Sequence, residues 1–148
     1  MCYKCAVHYW IALLLSVCCT FAHEPGLSSA DFRVTQGGLE LVLTFAVGDM
    51  DNVFGLDNDG DGKVSQLEFG YGKSRVAAMG EQAAIVTVDG QPVTGSDPAL
   101  RMDDMNNVEF IIRYPQKLGS NFVYRCGIFS QLPRGHRQFA TLKDPSGK

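Results

Sequence analysis

The sequence predicts a mainly β protein: an antiparallel β-sandwich with one helix–loop–helix inserted between its second and third strands. Three observations carry this. Apolar residues alternate with polar ones in short runs on both sides of the chain's centre, the signature of strands with one buried face. Gln36-Gly37-Gly38 and Asp89-Gly90 separate such runs, as hairpin turns do. The alternation lapses between about residues 49 and 79, where an acidic, glycine-rich stretch sits between two helix-compatible segments. At 148 residues and 45% hydrophobic content, the chain can bury one core, so one main domain is expected over 23–148.

The first 22 residues differ in kind. One cation, Lys4, precedes an almost wholly apolar run from Ala6 to Phe21, and Thr20-Phe21-Ala22 places small residues at the −3 and −1 positions before His23. That is the layout of a secretory signal peptide. A run of 16 residues falls short of the ~20 needed to span a bilayer. The mature chain is therefore expected to be exported: periplasmic, extracellular or at the cell surface. Cys2, Cys5, Cys18 and Cys19 all fall in this segment, which leaves Cys126 without an intramolecular disulfide partner. Cys126 lies in an apolar alternating run and is expected to be a small core residue. Losing residues 1–22 takes away Lys4 and no acid, so the net charge moves from −3 to −4. No basic run points to nucleic acid.

In the mature chain, Ala30–Gln36 and Leu39–Phe45 read as a first hairpin, with Leu39, Leu41, Leu43 and Phe45 on the core face. Asp49 or Asp51 can cap a short entering helix through Phe54. An exit helix is expected from Ser65 to about Met79, with Leu67, Tyr71 and Ala78 as apolar candidates. Gly70 and Gly72 each cost it about 1 kcal/mol relative to alanine. Ala84–Val88 and Gln91–Val93 form a second hairpin, followed by strands at 108–114, 122–129 and 139–142. Asp103–Asn107 is acidic, but lacks calcium-loop spacing; it reads as a turn in which Asn106-Asn107 tolerate a left-handed backbone. Asp144-Pro145-Ser146-Gly147 opens a turn with no strand behind it, as in a chain cut before its next element.

Between the two helices lies Asp57-Asn58-Asp59-Gly60-Asp61-Gly62-Lys63-Val64-Ser65-Gln66-Leu67-Glu68. This fits D-x-[DN]-x-[DN]-G-x5-E at every position, the calcium loop of a single EF-hand at about 49–79. Calcium takes six to eight oxygens at roughly 2.3–2.6 Å. Asp57, Asp59 and Asp61 alternate on a curling loop and converge. Lys63 offers its backbone carbonyl, Ser65 acts through a bridging water, and Glu68 closes the shell with both oxygens. Gly62 stands where the loop turns sharply. A plain acidic turn would need only one of these aspartates, and three crowded into five residues repel one another. Ca²⁺ is the cofactor expected, as a structural ion.

Other chemistry is weakly signalled. If cleavage follows Ala22, the α-amine and imidazole of His23 could chelate one transition metal, with His136 as a further nitrogen. The competing reading makes His23 a frayed end and His136 a surface-loop residue between two arginines. No Gly-x-Ser-x-Gly elbow marks a nucleophile and no G-x-x-x-x-G-K-[ST] a phosphate loop, so an enzyme is not expected.

Two resemblances rest on these residues. Asp57–Glu68 resembles an EF-hand loop, unpaired and with glycine-bearing flanking helices. Residues from about His23 to the end resemble the extracytoplasmic N-terminal region of HupE/UreJ-type membrane proteins. The matching stretches are His23-Glu24-Pro25-Gly26-Leu27-Ser28-Ser29-Ala30, the acidic loop, Asn106-Asn107 and Leu132-Pro133-Arg134-Gly135-His136-Arg137-Gln138-Phe139. The second resemblance implies a domain standing before a membrane bundle that handles nickel. Its partner would be a membrane protein or a C-terminal membrane domain, and its own role metal-responsive or partner-binding.

Overall fold

The computed structural model describes residues 26–96, 98–117 and 119–144. The signal peptide expected over residues 1–22, His23 and the turn expected beyond Asp144 lie outside the described residues. The fold is mainly β, in two sheets. Strand β1 (Leu27–Thr35) and β2 (Gly38–Ala46) make the first hairpin, and the chain then leaves the sheet for α1 (Val47–Phe54) and α2 (Gln66–Ala77). One further helical turn, α3 (Gly80–Ala83), leads into β3 (Ala84–Val88) and β4 (Gln91–Val93). Then come β5 (Ala99–Met102), β6 (Asn107–Tyr114), β7 (Phe122–Cys126) and β8 (Arg137–Lys143). One sheet has the order β5-β6-β2-β1-β8, the other β4-β3-β7.

Alternation decides which faces meet. Leu39, Leu41, Leu43 and Phe45 of β2 are all buried, and Val108, Phe110, Ile112 and Tyr114 of β6 stand beside them on the same face. The smaller sheet answers with Ala84, Val86 and Val88. Phe32 of β1 joins the layers, meeting Phe122 and Tyr124 of β7 edge-on with 5.0 Å between ring centroids. Full burial of each large apolar side chain contributes about 1.5–3 kcal/mol, so this shared face is the main source of stability. The turns obey local chemistry. Asp89 (φ 49°) and Gly90 (φ 78°) both adopt the left-handed backbone of a two-residue hairpin turn. Asn106 does so before β6 (φ 59°), while Asn107 is already strand.

Four expectations need correction. The sandwich is not purely antiparallel: β8 runs parallel to β1, from Leu27↔Arg137 to Arg33↔Lys143. The chain crosses from β7 in the small sheet and re-enters beside the start of β1, so it must run the same way. β5 was not foreseen, because only Leu100 of its four residues is buried and no alternation is visible over so short an edge. The strand expected over 122–129 stops at Cys126, and a 3₁₀ turn (Phe129–Gln131) follows.

The fourth correction concerns α2. Leu67 and Tyr71 are exposed (65% and 69%), as is Ala78, and the inward face is Phe69, Gly72 and Val76. Gly72 explains the switch. A Cβ there would stand 2.4 Å from Leu56 Cδ2, so the helix packs on that fully buried leucine through a position that tolerates no side chain. Gly70 is exposed, with nothing within 4 Å of a built Cβ. The two glycines are thus predicted to respond oppositely to alanine. Urea unfolding should find Gly70→Ala more stable by about 1 kcal/mol, the helix-propensity gain. Gly72→Ala should be less stable by about 1–3 kcal/mol through overpacking.

Candidate metal centre

The acidic loop is held open and curved by its own backbone. Gly55 ends α1 in the left-handed conformation (φ 61°), its N–H bonded to the Asp51 carbonyl at 2.7 Å. Asp51 does not cap the start of α1, nor does Asp49; the N-cap is Ala46 with no side-chain bond. Asp51 Oδ1 instead accepts from the N–H groups of Leu56 (2.6 Å) and Asp57 (2.8 Å), which fixes the loop's entry. Gly60 (φ 75°) and Gly62 (φ 82°) supply the left-handed turns that reverse it.

Three side chains converge there. One carboxylate oxygen from each of Asp57, Asp59 and Asp61 lies within 4.8 Å of the others. Each carboxylate also accepts from the loop: Asp57 from Gly60 N–H (2.8 Å) and Gly62 N–H (2.9 Å), Asp59 from Asp61 N–H (3.1 Å), and Asp61 from Lys63 N–H (2.8 Å). These bonds orient the acids inward without neutralising them. The exposed acidic triad could therefore hold a metal ion.

Ser65 and Glu68, the later positions of the motif, do something else as well. They form a capping box: Ser65 Oγ accepts from Glu68 N–H (3.2 Å) and Glu68 Oε2 accepts from Ser65 N–H (2.9 Å). The Ser65 hydroxyl also donates to Oε2 (2.8 Å), and Oε1 accepts from the N–H groups of Asn58 (2.8 Å) and Asp59 (3.3 Å). These donors, the Ser65 backbone N–H foremost, hold the Glu68 carboxyl at a pKa of about 2, against an ordinary 4.5. Glu68 is thus a ready anion at neutral pH, but it faces the loop's backbone rather than the three aspartates. The 420 Å³ cleft beside the triad is lined by Asp59, Asp61, Lys63, Ser65 and Glu68, with Val47 and Asn106 as its far wall. The wall comes from the first residue of α1 and the turn before β6. Val47 N–H bonds to the Asn106 carbonyl (2.9 Å), and the Gln66 side chain donates to the Met102 carbonyl (3.3 Å).

A second polar cluster was not foreseen. His136 is buried, at 6% exposure, and not the surface-loop residue of the competing reading. Its Nε2 lies 2.8 Å from Ser28 Oγ, and its Nδ1 lies 3.5 Å from Asp49 Oδ2. Nothing in the spacing of residues 28, 49 and 136 announces this; the parallel register of β1 and β8 creates it. Ser28 is itself buried, at 4% exposure, so its hydroxyl and the imidazole meet inside the fold. Cys126 is half buried, and burial pushes its thiol pKa up, away from a reactive thiolate.

The lowered Glu68 pKa fixes a pH dependence. A carboxyl whose folded pKa lies below its unfolded value stabilises the fold fully above about 4.5 and loses that contribution as pH falls toward about 2. Thermal melts in chelator between pH 5 and 2 should therefore show an acid limb that Glu68→Gln flattens. No protein-family model matches this chain, and no curated protein matches it either.

Proposed function

We propose that the protein is an exported calcium-binding domain in which the Asp57–Glu68 loop acts as a single EF-hand around a structural ion. Asp57, Asp59 and Asp61 supply side-chain oxygens, Lys63 its carbonyl, and Ser65 a water-mediated contact. Glu68 swings from the Asn58 and Asp59 N–H groups to give both oxygens. The observation that carries this reading is the convergence of three aspartate oxygens within 4.8 Å. Two calcium ligands on opposite sides of the ion stand about 4.6–5.2 Å apart, given ligand distances of 2.3–2.6 Å. Unit charges at 4 Å repel by about 1 kcal/mol in water and several times that near a protein surface, and a cation turns that repulsion into attraction. The apolar run at 6–21 supports export, where calcium is abundant.

A single loop with a sheet at its back fits a structural role better than a switching one. The apolar eighth position, Val64, is buried, at 8% exposure, and the β5–β6 turn stands at the cleft's far wall through Asn106. No groove between paired hands is needed to cover it. Extracellular EF-hand modules bind calcium at about 10⁻⁴–10⁻³ M, so millimolar calcium would fill the site only several-fold over its Kd.

Calorimetry tests the proposal. At ten times Kd, calcium should add about 1.4 kcal/mol to unfolding and raise Tm, and EGTA should reverse the shift. Asp59→Ala should melt as the wild type does in EGTA yet gain nothing from calcium. A wild-type Tm that millimolar calcium leaves unmoved would sink the reading.

A further inference from the structure

We infer that the cavity between the two sheets, beside the β4–β5 connection, is a binding site for a small neutral carbonyl compound whose oxygen accepts a hydrogen bond from the Tyr114 hydroxyl. The observation is a tyrosine with nothing to bond. Tyr114 is buried, at 3% exposure, yet its hydroxyl has no hydrogen-bond partner among the described residues. Buried polar groups are almost always satisfied, and a buried tyrosine hydroxyl usually finds a partner. A Cβ built on Gly95 would stand 3.0 Å from Tyr114 Cε1 and 3.3 Å from Cζ, the carbon that carries the hydroxyl. Gly95 and Tyr114 both line the cavity, so the phenolic end of the ring reaches it.

Size and lining define the guest. The volume is 200 Å³, somewhat above the ~150 Å³ that holds a benzene ring inside a protein, so a molecule of about seven to nine heavy atoms fits. Val86 of β3, Val93 of β4 and Ile112 of β6 supply apolar walls from both sheets, and no charged side chain among the described residues lines the space. An ion would lose water there without gaining a counter-charge, so the guest is neutral. Burial pushes the Tyr114 pKa up to about 12, so the hydroxyl keeps its proton and donates. A lone donor in an apolar cleft selects an acceptor, and a carbonyl oxygen on a compact hydrocarbon frame supplies one.

The fold explains the cavity. Beyond Val93 the chain leaves the small sheet and crosses to the large one. There Ser96 N–H bonds to the Arg113 carbonyl (2.8 Å), and Ser96 Oγ accepts from Arg113 N–H (3.3 Å). These two bonds hold the crossing segment against β6, while the β3–β4 ladder fixes the opposite wall. Gly95 lies at the contact: a Cβ there would be 2.4 Å from Ile112 Cγ2, so only glycine lets the backbone approach this closely. No residue of the acidic loop lines the cavity, and the site stands apart from the calcium reading.

The experiment is a titration of isotope-labelled protein with cyclohexanone and with acetophenone, in millimolar calcium, followed by NMR at the Gly95 and Ser96 amides. Saturable binding of one ketone per chain is expected. Tyr114→Phe should weaken it about fivefold, the worth of one neutral hydrogen bond, and leave Tm unchanged because the hydroxyl bonds to nothing in the protein. Val93→Phe, which fills the space, should abolish binding, with circular dichroism confirming that it is folded; the isosteric Tyr114→Phe carries the test where it is not. Cyclohexylammonium, similar in size but charged, should not bind. Asp59→Ala should bind the ketones as the wild type does, which separates this site from the calcium proposal. Shifts that never saturate would mean that the cavity holds water only and would overturn the site. Equal affinity in Tyr114→Phe, or an ammonium ion bound as tightly as the ketone, would overturn the assigned chemistry.

Discussion

The Glu68 carboxylate is the knot of the inserted helix pair. Its two oxygens collect donors from Asn58 and Asp59 at the loop's beginning and from Ser65 at its end, so one side chain on the first turn of α2 closes a curve of twelve residues. Hydrogen bonds to a charged acceptor are roughly twice as strong as neutral ones, and here they act together. Because the loop is closed at this point, the three aspartates before it are forced to share a small volume. The same residue is therefore both the helix cap and the candidate final ligand. That dual use couples any ion in the loop directly to the start of α2.

The helix pair in turn depends on the sheet. Leu56, immediately before the first aspartate, is fully buried and packs where Gly72 leaves room. Met50, Phe69 and Val76 belong to the same core cluster as β2 and β6. Hydrogen bonds from Val47 and Gln66 to the β5–β6 hairpin tie both helices to its edge. The acidic loop is exposed at its tip and buried at both roots. An ion there would stiffen the junction between helices and sheet, where packing and these two hydrogen bonds hold two short, glycine-bearing helices.

Much of this was legible locally. The core face of β2 follows from strict alternation, and the Asp89-Gly90 turn from the φ > 0 demand of a two-residue hairpin. The convergence of Asp57, Asp59 and Asp61 follows from their spacing on a curled loop. The errors are equally physical. Leu67 and Tyr71 are large apolar residues of α2, but Gly72 permits a closer approach on the face that carries Phe69 and Val76, and proximity decided the buried face. Asp49 and Asp51 look like N-caps. Yet α1 begins straight off β2 at Val47, leaving Asp51 to hold the loop's entry and Asp49 to face His136.

By itself, the sequence determined the strand faces, the hairpin turns, the place of the helical insertion and the acidic loop. These depend on interactions within a dozen residues, and the chemistry of each residue settles them. Only the tertiary structure decided the parallel placement of β8, the edge strand β5 and the cluster of Ser28, Asp49 and His136. Those residues meet because β8 crosses from one sheet to lie beside β1 in the other. A contact between residues 108 positions apart leaves no periodic trace in the chain. The loop could be read; the buried histidine had to be seen.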